Sequence, residues 1–148
     1  MTADAAQLAT ADRRARRTLT VIEHMQSENA QEWDRTIKTF SRPRYELPGG
    51  EVIEGRDDVM AYWVNGRANM PDQRNELIAI THHDECVVLE FWLRGTPPAS
   101  DGGQAKGFEV KLWAIFDFDE DDLMTNERVY PQPPTDEQIN AGSATAAG

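Results

Sequence analysis

Leu8, Ala11, Ala15, Leu19 and Ile22 recur every three or four residues, a spacing that lines one stripe of a helix and predicts a first helix ending near Ser27. Asn29 followed three residues later by Glu32 has the form of a capping box, and Ala30, Trp33, Ile37 and Phe40 give a second helix its apolar face. Pro43 closes that helix, because proline disfavours helical backbone in the residue before it. Arg44 to Leu47, the Pro48-Gly49-Gly50 turn and Glu51 to Glu54 predict strand, bend and strand. Gly55 then breaks the chain before a third helix from about Asp57, where Val59, Tyr62, Trp63 and Met70 share a face until Pro71 stops it.

From Arg74 the period changes from helical to strand-like, through Leu77 to Thr81, Val87 to Arg94, Gly107 to Phe118 and Leu123 to Tyr130. Turns between these segments predict an antiparallel meander. Val87, Leu89, Phe91 and Leu93 alternate with Val88, Glu90, Trp92 and Arg94. Likewise Phe108, Val110, Leu112, Ala114, Phe116 and Phe118 alternate with Glu109, Lys111, Trp113, Ile115 and Asp117. The first set in each pair is expected to face the helices. Three helices followed by a long sheet predict an α+β fold rather than a doubly wound one, which needs helices alternating with strands.

The length of 148 residues suits one domain with one core. The 15 Lys plus Arg against 26 Asp plus Glu leave a net charge of -11, which repels phosphate backbones and anionic bilayers; neither nucleic acid nor membrane is expected as a partner. Cys86 stands alone, and no Cys/His spacing resembles a zinc site, so no metal is expected and a cytoplasmic location is the default expectation. The run Asn140 to Gly148 is built of Ala, Gly, Ser and Thr with Asn and reads as a loose tail.

Titratable candidates are few. His82 and His83 precede Asp84 near a turn, where a solvated role is expected, whereas His24 lies in the first helix and is the better pocket candidate, without an evident partner. The run Asp117, Asp119, Glu120, Asp121 and Asp122 lacks the glycine and terminal glutamate of a calcium loop and reads as a solvated hairpin. In the last strand Met124, Asn126, Arg128 and Tyr130 share one face, and Thr125, Glu127 and Val129 the other.

Gly55-Arg56-Asp57-Asp58-Val59, the Met70-Pro71-Asp72 break, Val87 to Leu89 leading to Gly95-Thr96, Ala114 to Glu120, and Glu127-Arg128-Val129-Tyr130 together resemble the SnoaL-like branch of nuclear transport factor 2-like proteins, from about Val21 to Tyr130. The resemblance implies a cone: helices laid across a strongly curved antiparallel sheet around an apolar cavity, often in a homodimer built through the outer sheet faces. It divides the chain into a helical extension (1–18), a pocket domain (19–134) and a flexible tail (135–148).

By the same resemblance Tyr45, Tyr62, Trp63, Phe91 and Ala114 surround a small apolar or aromatic molecule, and Arg128 and Tyr130 face inward as candidate catalytic groups beside His24. A guanidinium beside a phenol could bind a carbonyl or enolate oxygen; alternatively Arg128 forms a salt bridge at the cone mouth or dimer face. The acid that polyketide cyclases of this kind carry inside the cone falls on Ala114, which cannot move a proton. Three readings follow: a cofactor-independent cyclase or isomerase acting on a neutral ring or carbonyl compound, a non-catalytic binding or dimerisation module, and an epoxide hydrolase-like enzyme. The last is disfavoured because neither clear strand carries an inward acid, with Glu46, Glu54 and Glu76 as possible exceptions. Trp92, Trp113 and Ile115 on the outer face supply the expected dimer patch.

Overall fold

In the computed structural model, which describes residues 3–100 and 102–145, the first helix, α1 (Ala3–Asn29), buries an unexpected face. Arg17, Val21, His24 and Ser27 point into the molecule, whereas Leu8 and Leu19 are each 67% exposed. Both stripes satisfy the helical period. Two of the five residues in the leucine stripe are alanine, which offers little area, while each polar residue of the other stripe finds a partner.

The Asn29–Glu32 capping box does not form. Asn29 ends α1, and its side chain donates to the Asn75 carbonyl (2.8 Å) and accepts from the Asn75 amide (2.8 Å), so a pairing across the fold wins over a local cap. Gln31 takes a positive φ of 58°, and the second helix shrinks to α2 (Trp33–Thr36) followed by a 3-10 turn (Ile37–Thr39). Ile37 and Phe40 are buried all the same.

Six strands follow the chain: β1 (Arg44–Glu46), β2 (Val52–Glu54), then after α3 (Arg56–Asn69) the strands β3 (Arg74–His82), β4 (Cys86–Gly95), β5 (Phe108–Phe118) and β6 (Met124–Tyr130). They make one curled, unclosed sheet of order β2-β1-β6-β5-β4-β3. The α+β class holds. The sheet is antiparallel as expected except where β1 runs parallel to β6. Its inner face puts Val87, Leu89, Phe91, Ala114 and Phe116 into one core with Val21, Val59 and Trp63 of the helices, the phase expected for β4 and β5.

The phase of β6 is different. Phe118 pairs with Met124 and Asp117 with Asn126, so Thr125 is an extra residue on β6, a β-bulge. One inserted residue reverses the faces beyond it. Met124 is in the core, yet so is the side of β6 that carries Glu127, opposite Phe116, whereas Arg128 lies opposite Ile115 on the outer face.

The C-terminal segment, expected as a tail, carries helix α4 (Asp136–Thr145). Its start is a true capping box: the Gln138 amide donates to Thr135 Oγ1 (3.3 Å) and the Thr135 amide to Gln138 Oε1 (2.9 Å). Ile139 of α4 covers an outer cluster of Cys86, Val88 and Ile115, flanked by Trp113 and Tyr130. Ile115 is thereby fully buried, which removes it from the exposed patch expected on that face.

Candidate acid/base site

Residues four apart on a helix stand one above the other, so α1 presents His24 and Glu28 together to the inner face of the sheet. His24 is the hub. Its Nε2 lies 3.1 Å from the Tyr45 hydroxyl of β1, 3.3 Å from Glu127 Oε2 of β6 and 3.5 Å from Glu28 Oε2. Its Nδ1 lies 3.0 Å from Thr39 Oγ1. Glu28 also pairs with Arg67 of α3 (3.2 Å), and the Trp63 indole donates to the Tyr45 oxygen (3.1 Å).

These contacts fix the histidine tautomer. Thr39 has one hydroxyl hydrogen, and it is committed to the Thr36 carbonyl at 2.6 Å. Thr39 Oγ1 therefore accepts from His24 Nδ1–H, which leaves Nε2 as the nitrogen that gains and loses a proton among Tyr45, Glu28 and Glu127.

The surroundings set the proton affinities. Burial alone would push the His24 imidazole down; the hydrogen bond and charge of Glu127, with the charge of Glu28, outweigh it and hold His24 above its ordinary value. Burial pushes the Glu28 carboxyl up, against the pull of His24 and Arg67. Tyr45 is raised well above the usual phenol range by burial and by the same two carboxylates, and so stays a neutral hydroxyl at physiological pH.

Beside the hub is a small cavity with an apolar wall of Met25, Leu89, Phe91 and Phe116 and a polar wall of His24, Glu28, Glu127 and Asn75. Its free volume is about 10 Å³, about the space that one water needs. Asn75 Oδ1 is buried without a hydrogen-bond partner among the described residues, and Glu127 Oε2 has only its ion-pair contact with His24 there. The polar wall thus retains unused acceptor capacity.

Of the residues expected at the site, His24, Tyr45, Trp63, Phe91 and Ala114 lie in or against this inner core. Tyr62 is 38% exposed, its ring 5.6 Å from that of Tyr45, and partial burial with the carboxylates raises its phenol to about 12. Arg128 and Tyr130, expected to face inward, do not: the bulge turns both to the outer face. There the Arg128 guanidinium grips Asp117 with two hydrogen bonds (3.0 and 2.9 Å) and donates to the Gln138 and Ile139 carbonyls of α4. The salt-bridge alternative for Arg128 is the one observed.

Sequence reasoning missed Glu28 and Glu127. The first was legible as an i, i+4 partner of His24; the second was hidden by the bulge. Glu46, Glu54 and Glu76 do not supply the inward acid. Glu46 pairs with Arg44, Glu76 with Arg94, and Glu54 is exposed. Asp122, expected as part of a solvated hairpin, is buried between Arg16 (2.7 Å) and Arg17 (2.9 Å).

Comparison with known proteins agrees with this architecture. A SnoaL-like domain model matches residues 20–127. No curated protein matches the chain. Among solved structures, a candidate polyketide cyclase from Xanthomonas campestris pv. campestris superposes with a TM-score of 0.71 at 19% identity, covering 80% of this chain and 91% of that one. A phenazine biosynthesis-related protein from Pseudomonas aeruginosa gives 0.67 at 21% identity, with 81% of each chain covered. A protein of ketosteroid isomerase-like fold from Catenulispora acidiphila, in complex with trimethylamine, gives 0.65 at 12% identity, covering 84% and 92%. At these identities the likeness is one of fold.

Proposed function

The chain belongs to the SnoaL-like domain family, and from that premise we propose that it performs acid/base chemistry on a small neutral ring or carbonyl compound held against the inner face of the sheet. The observation that carries this reading is the position of His24 Nε2, which meets Tyr45, Glu28 and Glu127 beside an apolar wall while Nδ1 is tied to Thr39. In this reading Nε2 removes a proton from carbon next to a carbonyl. The Glu127 carboxylate stabilises the imidazolium that forms, and the electron pair moves to the carbonyl oxygen, which accepts a hydrogen bond from the Tyr45 hydroxyl. Return of the proton to another carbon completes an isomerisation; attack of the enolate carbon on a second carbonyl would close a ring. Glu127 takes the place of the acid that Ala114 cannot supply.

Because the cavity holds little more than one water, a ring compound requires Met25 and the Asn29–Asn75 seam to shift. Methionine yields readily. A second reading is favoured by the same space: Glu28, Glu127 and Arg67 place two carboxylates and an arginine inside the sheet, the ingredients of water activation for an epoxide hydrolase-like reaction.

A screen of neutral cyclic ketones and epoxides with product analysis separates the readings. Exchange of the ketone α-hydrogen for deuterium from solvent, lost in His24→Gln, supports the first. Diol formation with oxygen from water supports the second. Binding without either product leaves a non-catalytic module and overturns both.

A further inference from the structure

The N-terminal half of α1 precedes the family-matched region and carries Arg13, Arg14, Arg16 and Arg17 within five positions of a chain whose net charge is -11. Like charges three and four apart on a helix repel, so this run opposes helix formation unless something offsets it. For two of the four the offset is built in. Arg16 and Arg17 share the Asp122 carboxylate, and Arg17, 5% exposed, also donates to the Asp84 carbonyl (3.1 Å) and lies over the Phe118 ring. Arg13 and Arg14 have no carboxylate partner among the described residues.

Both unpaired arginines, with Thr10, line a cleft of about 300 Å³ against His82 and His83 at the end of β3. His82 shares a hydrogen with Thr18 Oγ1 through Nε2 (2.8 Å), while its Nδ1 is buried without a hydrogen-bond partner among the described residues. We propose that this cleft is a binding site for a phosphate-type oxyanion, gripped by the Arg13 and Arg14 guanidiniums beside the His82 ring. Guanidinium forks match such oxygens in pairs, and a bound dianion supplies the missing counter-charge.

The electrostatics agree. Burial chiefly holds the His82 imidazole below its ordinary value, and the positive charges of Arg14, Arg17 and His83 push it in the same direction. Asp84 and Glu85 also border the cleft, but both are exposed, and the Asp84 carbonyl rather than its carboxylate faces Arg17. The site is separate from the His24 cluster and does not depend on the reaction proposed there.

The test follows the His82 ring by NMR during titration with inorganic phosphate, phenyl phosphate and chloride at constant ionic strength. Phosphate is expected to shift the His82 resonances and raise its titration midpoint, with chloride inert. Arg13→Gln with Arg14→Gln is expected to weaken binding by about ten-fold or more, and the double lysine variant by less, since lysine keeps the charge and loses the fork. Both positions are exposed, so circular dichroism should show the fold unchanged. Tighter binding of phenyl phosphate than of inorganic phosphate identifies an organic phosphomonoester as the ligand; equal binding identifies the free anion. An unmoved His82, an equal response to chloride, or unchanged affinity in the double glutamine variant overturns the site.

Discussion

His24 Nε2 and Glu127 Oε2 lie 3.3 Å apart, a contact between the first helix and the last strand of the sheet that a single β-bulge makes possible. Glu127→Gln keeps the shape and removes the charge that chiefly offsets His24 burial. The His24 titration midpoint should fall in this variant, read by NMR. If His24 is the base, turnover on an identified substrate should drop by roughly 10²–10⁴-fold. An unmoved midpoint would break the proposed dyad.

Stability should depend on pH through the same cluster. His24 is held above its ordinary 6.5, so its charged form favours the folded state; that contribution is complete below 6.5 and is lost as pH rises through the higher folded value. Glu28 is raised above 4.5, so its neutral form is the one folding favours, and its contribution also declines as pH rises above 4.5. Urea unfolding between mildly acidic and mildly alkaline pH should show this decline. His24→Gln should flatten the part above 6.5, and Glu28→Gln the part that begins lower.

Thr39 acts on the site through His24 without facing the cavity. Thr39→Val should cost about 1–2 kcal/mol, because it leaves buried His24 Nδ1 without an acceptor. It should also alter the tautomer ratio, visible in the ring nitrogen shifts. Thr39→Ser should restore both. Equal tautomer ratios in the valine and wild-type proteins would remove the positioning role.

Arg128→Met should damage stability rather than chemistry. It leaves Asp117 buried and frees two α4 carbonyls, a loss of about 3 kcal/mol by analogy with other broken buried pairs. Gly142, packed against that ion pair, offers an independent check: a side chain there collides with Arg128 and Asp117, so Gly142→Val should lift α4 and expose Trp113. Trp113 emission and limited proteolysis at α4 report both. Resistance of both variants to proteolysis would show that α4 is held elsewhere.

The outer face remains a proposed dimer surface in reduced form, because α4 covers Ile115 but leaves Trp92 partly exposed between Arg94 and Lys111. A homodimer should sediment at micromolar concentration and dissociate in Trp92→Asp. A monomer at that concentration removes the proposal.

The class of fold, the extent of α3 and the faces of β4 and β5 were legible from the chain alone, since each follows from a local period: Leu89 and Phe91 point inward because Glu90 between them does not. Two further signals are equally local, the His24–Glu28 spacing and the Thr135–Gln138 capping box. The remainder rests on contacts between elements distant along the chain. The face of β6 depends on where one extra residue, Thr125, is accommodated against β5, and alternation along a single strand carries no information about its neighbour's register. The buried face of α1 was settled likewise by partners distant in sequence, Asp122 for Arg17 and Tyr45 and Glu127 for His24, because a polar stripe becomes a better inner face than an apolar one only when those partners satisfy it.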